Sequence, residues 1–458
     1  MDRSYGVLMA LSSLPGDFGI GTMGKEARVF IDSLADSGAR WWQMLPLTQP
    51  GPGDSPYQSV SAFAGSYYYI DFEELFEEGL LTKKELEKSR AAFSTSGNVD
   101  YQAQSEHKLS LLYPIYERMD DELHQAIEEF INTNNWVVDY STFMAEKTGY
   151  NSIFFVLLQV LFDRQYNKLW KYASDKGISL IGDMPIYVAP GGVEERFYPE
   201  LFDKSGAVAG CPPDAFTDEG QLWGNPLYDW EAMKQDGYGW WIRRFAFEFT
   251  RFDLVRVDHF RGFEAYWAVP GDAVSAKNGK WTDGPGVEFF NTLKSWFGSL
   301  PVIAEDLGDL TPSFFEFMDA CGFPGMKVLQ FAFTPKANSA YLPHNAIENS
   351  VIYTGTHDND TTRGWWKSLN EETKEFVKAY LGGEISEDNA AERLIRAAMS
   401  SVSKLCVIPM QDILNLDEKA RMNIPGTPEG NWRWRMSAGA FSTEICEKMK
   451  KMSEMYAR

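Results

Sequence analysis

The sequence predicts an α/β fold, a (β/α)8 TIM barrel that carries long inserted subdomains. The chain has 458 residues, short apolar runs rich in β-formers recur along it, and helical patterns lie between many of them. Runs that are apolar on both faces are typical of parallel strands covered by helices, and strands alternating with helices favour a barrel. Eight such runs are found: Gly6–Leu11, Trp41–Leu45, Ile178–Met184, Leu254–His259, Pro301–Asp306, Met326–Phe331, Ser350–Thr354 and Lys404–Met410.

The helical patterns repeat their apolar residues at the spacing of one helix face. The last pattern, Thr443–Tyr456, is expected only to pack on the barrel. The other clear examples are Glu26–Asp36, Phe155–Lys176, Glu288–Phe297, Pro312–Asp319 and Glu371–Leu381.

The length beyond a plain barrel of about 250 residues is expected to lie in two insertions. Residues 1–458 are predicted to form a single catalytic barrel, with an insertion subdomain at 47–177 after the second strand and another insertion at 185–253 after the third. The first insertion includes a charge-rich helical part from Phe72 to Glu129. Both would follow the C-terminal ends of strands, and barrel enzymes build their active sites on that face.

The composition narrows the possible partners. Lysine and arginine total 43 while aspartate and glutamate total 65, so the formal net charge is −22. This charge repels phosphate backbones and anionic lipids, and neither nucleic acid nor a membrane surface is expected as a partner. Aromatic residues make up 15% of the chain, which fits either a large core or a neutral, flat-faced ligand. The four cysteines lie far apart without metal spacing, which favours free thiols in the cytoplasm, and no metal or cofactor is expected.

Four of the runs have an acidic residue at or shortly after their C-terminal ends. These residues are Asp183, Asp258, Glu305 and Asp358, and His357 directly precedes the last of them. One acid at a strand end is commonly a helix cap or a solvated turn. Because the C-terminal ends of barrel strands meet at one face, four acids together predict an active site there.

Arg256 supports this interpretation. Residues i and i+2 of a strand face the same side, so Arg256 and Asp258 are expected to lie together. A guanidinium keeps a neighbouring carboxylate ionised, as a nucleophile requires, although a structural ion pair would have the same pattern. Glu305 is then the best candidate for the second acid of a glycosidase-type pair, with a raised pKa that allows it to donate a proton. The separation of the two carboxylates, and hence the stereochemistry, does not follow from the sequence.

Two aromatic residues in loop-like stretches are candidates for stacking on sugar rings. Trp223 lies between Gln221 and Asn225, whose amides could bind sugar hydroxyls, and Tyr57 lies in a stretch rich in serine and proline. A place in the core is the alternative for both rings.

Two sequence motifs resemble known binding sites but do not meet the requirements of those sites. Gly19, Gly21 and Gly24 match a dinucleotide-binding pattern, but they lie too far after the first run, and the second run ends without an acid. The stretch Asp358–Asp360 resembles the start of a calcium loop but lacks its later glycine and glutamate.

Several longer strings carry a resemblance that runs in order along nearly the whole chain. The strings are Ser12–Gly16, Asp54–Ser59, Ser61–Gly65, Gly182–Val188, Gly220–Tyr228, Arg256–Phe263, Ala304–Gly308, Thr354–Thr362 and Arg421–Thr427. In these strings the sequence resembles the amylomaltases, which are the 4-α-glucanotransferases of glycoside hydrolase family 77.

The resemblance implies a (β/α)8 barrel and a retaining double displacement that transfers α-1,4-glucan segments. It implies that Asp258 is the nucleophile, that Glu305 is the general acid and then the base, and that Asp358 holds hydroxyls of the distorted donor sugar. It also implies supporting roles for the remaining site residues and no cofactor. The supporting residues are Arg256, Asp183 and His357 around the donor sugar, and Trp223 and Tyr57 along the glucan groove.

The implied partners are malto-oligosaccharides, starch- or glycogen-derived glucans, and glucose as an acceptor. An α-amylase-type hydrolase and an inactive glucan-binding barrel are the alternatives, and the three retained carboxylates argue against the second. The chain departs from the family at Ala215, where a tyrosine is usual, at Ser66–Tyr67 and at Pro190–Val193. These departures concern acceptor preference and leave the implied catalytic set intact.

Overall fold

A closed barrel of eight parallel strands forms the centre of the molecule. The computed structural model describes residues 2–213, 218–308, 310–335 and 338–458. Around the barrel, the neighbouring strands follow one another in chain order, β1, β2, β3, β6, β9, β10, β11 and β12, and β12 closes the ring on β1. The strands are β1 (Ser4–Leu8), β2 (Trp41–Gln43), β3 (Ser179–Met184), β4 (Val208–Cys211), β5 (Gln221–Pro226), β6 (Leu254–Val257), β7 (Ala265–Val269), β8 (Lys280–Asp283), β9 (Val302–Ala304), β10 (Gly325–Val328), β11 (Ser350–Tyr353) and β12 (Leu405–Pro409).

Each of the eight predicted runs overlaps one barrel strand, and the predicted (β/α)8 fold is confirmed. These strands are almost entirely buried because side chains fill the barrel on one face and helices cover the other. The fourth run is shorter than predicted. It ends at Val257 because His259 takes a left-handed backbone conformation with φ 46° and ψ 51°.

Helices surround the barrel and build most of the segment between β2 and β3. The helices α2 to α5 lie in the charge-rich stretch that was predicted to be helical, and α7 leads back into β3. The helices are α1 (Lys25–Asp36), α2 (Phe72–Glu77), α3 (Lys83–Ala91), α4 (Tyr101–Glu117), α5 (Asp121–Thr133), α6 (Trp136–Thr148), α7 (Ser152–Asp175), α8 (Val193–Phe197), α9 (Trp230–Gln235), α10 (Gly239–Arg251), α11 (Gly286–Phe297), α12 (Pro312–Cys321), α13 (Thr362–Ser368), α14 (Glu371–Leu381), α15 (Ala390–Ser400), α16 (Met410–Ile413) and α17 (Thr443–Met455).

A second, antiparallel sheet stands beside the barrel, and the sequence analysis did not predict it. Its order is β5-β4-β7-β8. The strands β4 and β5 come from the segment after β3, whereas β7 and β8 follow β6 and lie outside both predicted insertions. These strands are short, and β4 and β5 contain glycine, so they lack a clear alternation of apolar and polar residues. The bounds 47–177 and 185–253 of the inserted subdomains stay a prediction.

Within the described residues, every helix is too short or too polar to cross a membrane.

Candidate active site

Arg256 lies at the centre of a cluster of carboxylates where three barrel strands end. Its guanidinium donates a hydrogen bond from Nη1 to Asp183 Oδ1 at 2.6 Å and to Asp258 Oδ1 at 3.2 Å. Its Nη2 lies 3.5 Å from Glu305 Oε2. The Arg256 side chain is only 2% exposed, whereas Asp258 keeps 27% of its side chain exposed and Glu305 keeps 16%. The predicted contact between Arg256 and Asp258 is therefore present, and the two carboxylates next to the guanidinium remain open to a ligand.

Asp183 connects this cluster to Tyr57 and His357. Its Oδ2 accepts a hydrogen bond of 2.9 Å from the Tyr57 hydroxyl, which lies 3.0 Å from His357 Nε2. The rings of Tyr57 and His357 are also stacked, with centroids 5.3 Å apart. The inserted segment after β2 thus places Tyr57 against the ends of barrel strands.

Asp358 is held from the segment that follows β12. Asn423 donates from Nδ2 to Asp358 Oδ1 at 2.6 Å, and Arg421 donates from Nη2 to the Asp358 backbone carbonyl at 2.7 Å. The Asn423 backbone N–H also bonds to the His357 carbonyl at 3.0 Å. The Asp358 side chain is 43% exposed, and its other oxygen, Oδ2, lies 3.5 Å from His357 Nε2.

Glu305 is held by the backbone of His259. The His259 N–H donates a hydrogen bond to Glu305 Oε2, and the left-handed conformation of His259 follows directly after Asp258. The His259 ring meets the Trp223 ring edge to face, with centroids 4.8 Å apart. His259 thus connects three site candidates, which are the nucleophile candidate Asp258, the acid candidate Glu305 and the aromatic candidate Trp223.

Burial dominates the protonation of this site. It raises the pKa of Glu305 to about 8, although Arg256 and the His259 N–H oppose the shift. It also raises the pKa of Asp258 to about 7, and the neighbouring Arg256 guanidinium opposes that shift. The shorter contact with Arg256 favours the ionised form of Asp258 over that of Glu305. Burial lowers the pKa of His357, and that of His259 to about 4, which makes both rings neutral at pH 7.

The remaining predicted binding residues occupy one side of the site. Trp223 Nε1 donates to Gln221 Oε1 at 3.1 Å. The Asn225 amide is buried, with Nδ2 donating to the Val188 carbonyl at 2.8 Å and Oδ1 accepting from Gln58 at 3.1 Å. Asn225 therefore ties β5 to the turn that carries Tyr57, and its predicted contact with sugar hydroxyls stays a prediction. Ala215 lies outside the described residues.

The sequence analysis missed Asn423, Arg421, Gln58 and the structural role of His259. Asn423 and Arg421 belong to the string Arg421–Thr427, whose distinctiveness was the only signal for them. Among the residues that the structure describes, no group of histidine, cysteine, aspartate and glutamate side chains is arranged to hold a metal ion.

Comparison with known proteins shows the family to which the chain is similar. The family model described as 4-alpha-glucanotransferase matches residues 9–153 and 146–440. The chain is 41% identical to a 4-alpha-glucanotransferase of Streptococcus pneumoniae, over 100% of this chain and 97% of the relative, and 39% identical to one of Clostridium butyricum, over 98% and 100%. Among solved structures, an amylomaltase from Streptococcus agalactiae in complex with acarbose superposes with a TM-score of 0.94 at 36% identity, covering 100% of this chain and 99% of that chain.

Proposed function

Because the chain belongs to the 4-alpha-glucanotransferase family, we propose that it moves α-1,4-glucan segments by a retaining double displacement. The donor segment passes through a covalent glucosyl-enzyme intermediate to the 4-hydroxyl of an acceptor glucan or of glucose. The observation that carries the proposal is the single guanidinium of Arg256 in contact with Asp183, Asp258 and Glu305. It supports a pair of carboxyl groups of unequal acidity, one ionised and one protonated.

In the first step Asp258 attacks the anomeric carbon of the donor sugar. The glycosidic C–O bond breaks as an ester bond to Asp258 forms, and Glu305 gives its proton to the departing 4-oxygen. The raised pKa of Glu305 favours the protonated form that this step needs. Arg256 stabilises the ionised form of Asp258.

In the second step the acceptor takes the place of the departed glucan. Glu305, now a carboxylate, removes the proton from the acceptor 4-hydroxyl, whose oxygen attacks the anomeric carbon. The ester bond breaks, Asp258 returns to its ionised form, and Glu305 is protonated again. Two inversions at one carbon retain the α configuration.

The other residues hold the sugars. Asp358 and His357 bind hydroxyls of the distorted donor sugar, and Asn423 fixes the carboxylate that does so. Asp183 and Tyr57 hold Arg256 and His357 in place. Trp223 stacks on a sugar ring of the glucan. The His259 ring and the Gln221 side chain orient the Trp223 ring.

The substrates we propose are malto-oligosaccharides and glucans derived from starch or glycogen. The Streptococcus agalactiae amylomaltase, whose structure is a complex with acarbose, supports a sugar-like ligand for this chain as well. The net charge of −22 favours such neutral ligands over nucleic acid or a membrane surface. The cytoplasm is the proposed location, because the four cysteines lie far apart without metal spacing, as is typical of proteins in a reducing compartment.

Incubation with maltotriose tests the proposed transfer. We expect a ladder of longer oligosaccharides together with glucose and no net gain of reducing ends. A net gain of reducing ends would instead identify a hydrolase, and an unchanged substrate would identify a binding protein.

The variant Asp258→Asn tests the nucleophile in the same assay. It should lower the transfer rate by roughly 10³-fold or more while the fold stays intact. The matched control is Asp272→Asn, because Asp272 is an exposed aspartate outside the site, and it should retain full activity. Near-normal turnover of Asp258→Asn would show that another group is the nucleophile.

A further inference from the structure

A small cavity lies against Tyr57 and Asp183, and it contains charged groups that the proposed mechanism does not use. Its volume is about 30 Å³. Three charged residues of helix α10 line it, namely Arg244, Glu248 and Arg251. Charged side chains are rarely buried without a partner, so their presence here needs an explanation.

Glu248 is a buried carboxylate with cations nearby but no direct hydrogen bond. The residue is 9% exposed and lines the cavity. The nearby charges that act on it are those of Arg244, Arg251 and Asp183, and no described side chain or backbone group donates a hydrogen bond to it. Its oxygens are not among the fully buried atoms that lack a partner, so water that enters the cavity can reach them.

One buried nitrogen of Arg244 lacks an acceptor. Its Nη1 donates to the Ile186 carbonyl at 3.2 Å and its Nη2 donates to the Pro185 carbonyl, both just after β3. Its Nε is buried and has no acceptor among the described residues. An acceptor that fits into the cavity would satisfy this N–H.

Asp183 can accept additional hydrogen bonds. Its Oδ1 accepts from Arg256 and its Oδ2 accepts from Tyr57, and each carboxylate oxygen has room for a second donor. A water molecule needs a cavity of at least about 10–15 Å³ and two to four polar partners. A cavity of about 30 Å³ has room for such a molecule and offers such partners.

We propose that this cavity binds ordered water, which accepts a hydrogen bond from Arg244 Nε and donates to the carboxylates of Glu248 and Asp183. Through this water Glu248 is a positioning residue for Asp183, and Asp183 in turn holds Arg256 and Tyr57. Two further carboxylates act on the water site only through the arginines that line it. Glu194 lies near Arg244, and Asp163 lies 3.8 Å from Arg251. The effect on the reaction rests on the proposed function, whereas the water site itself does not.

The pH profile of transfer separates this role from a merely structural one. Burial raises the pKa of Glu248 to about 7, so the residue is charged mainly above that pH. In Glu248→Gln this negative charge is lost, the neighbouring carboxyl groups lose their protons more easily, and the alkaline limb of kcat/KM should move to lower pH by roughly 0.5 unit. The acid limb should move less, because its midpoint near pH 7 coincides with the pKa of Glu248, which is only about half ionised there. The control Glu128→Gln, which neutralises an exposed glutamate on α5, should leave both limbs in place.

Glu248→Leu removes the acceptor as well as the charge. We expect kcat to fall roughly 3- to 10-fold with KM little changed, and Glu248→Gln to keep most of kcat because its amide can still bind water. Equal pH profiles for the wild type and Glu248→Gln would overturn the proposal. So would wild-type kcat in Glu248→Leu.

A crystal structure at high resolution provides a readout that does not depend on activity. We expect water in the cavity within hydrogen-bond distance of Arg244 Nε and Glu248, and its loss in Glu248→Leu. A dry cavity, or a direct ion pair between Glu248 and Arg244, would contradict the proposal even if transfer proceeds as expected. Failure of the proposed function would appear separately, as turnover by Asp258→Asn.

Discussion

Arg256 contacts carboxylates that come from three neighbouring barrel strands, and this contact decides how protons are distributed in the site. Asp183 lies on β3, while Asp258 and Glu305 directly follow β6 and β9. One cation cannot neutralise three carboxylates, so one proton is best retained by the group that is buried and less tightly bound to the guanidinium. Glu305 is that group, since Asp258 makes the shorter contact.

The pH dependence of kcat/KM should therefore be bell-shaped. Activity falls at low pH as Asp258, whose pKa is raised to about 7, becomes protonated and cannot attack. It falls at high pH as Glu305, whose pKa is raised to about 8, loses the proton that it must donate. The apparent pKa values of the two limbs describe Asp258 and Glu305 as an interacting pair and not either residue alone. A rate that rises continuously with pH through 8 to 10 would contradict this assignment.

At the residue scale, the sequence predicts contacts between residues that are close along the chain, but it does not predict contacts between distant ones. The two-residue period of a strand is enough to place Arg256 beside Asp258. The hydrogen bond between Tyr57 and His357, by contrast, joins residues separated by 300 positions. Only the folded path of the segment after β2 brings them together, and no local pattern encodes that path.

Among the elements, the segment after β12 has a direct part in the site. Arg421 and Asn423 reach from this segment to Asp358, and Arg421 Nε also bonds to the Asn423 carbonyl at 2.8 Å. The segment thus fixes the third carboxylate from a position far along the chain. Its sequence has no helical or strand pattern, which is why its role was visible only as a distinctive string.

Asn423→Ala should lower kcat by roughly 10-fold. A hydrogen bond to a charged group contributes about 1.5–3 kcal/mol, and the exposed oxygen of Asp358 allows water to replace part of that contribution. The variant Asn98→Ala, at an exposed loop position, is the matched control and should behave like the wild type. Measured kcat values that are equal for the two variants would show that Asn423 does not position Asp358.

The barrel strands and the small sheet show which elements a sequence specifies locally. Barrel strands such as Val351–Tyr353 are buried on both faces, so each is a continuous apolar run that stands out in the sequence. The strands β4 and β5 pair through glycine-containing segments, as at Gly210 opposite Leu222. Such strands depend on their partners for stability, and their own residues do not distinguish them from loops.

At the scale of the whole molecule, we expect the transfer reaction to use only the protein's own side chains and no metal ion. Dialysis against EDTA should leave the rate of transfer unchanged, because Arg256 supplies the positive charge that a metal ion would otherwise supply to this cluster. The same preparation assayed with added calcium is the control. A loss of activity that calcium or another divalent cation restores would contradict this expectation.

The alternation of strands and helices in the sequence predicts the barrel. The barrel in turn predicts the position of the site. Acids at the ends of barrel strands meet at one face because the strands are parallel. The Arg256 cluster confirms this meeting for Asp183, Asp258 and Glu305. The positions of the helices between β2 and β3 depend on packing between distant segments, and the sequence pattern does not contain that information.

The most direct test of the central claim is to trap the glycosyl enzyme. An α-maltosyl fluoride donor needs little acid assistance to lose fluoride, so Glu305→Gln should still form the ester to Asp258, and without a base it should transfer the sugar slowly. Mass spectrometry of the digested protein should then find the added sugar on the peptide that contains Asp258. A sugar on a different residue, or rapid turnover with no adduct and inverted product, would contradict the account.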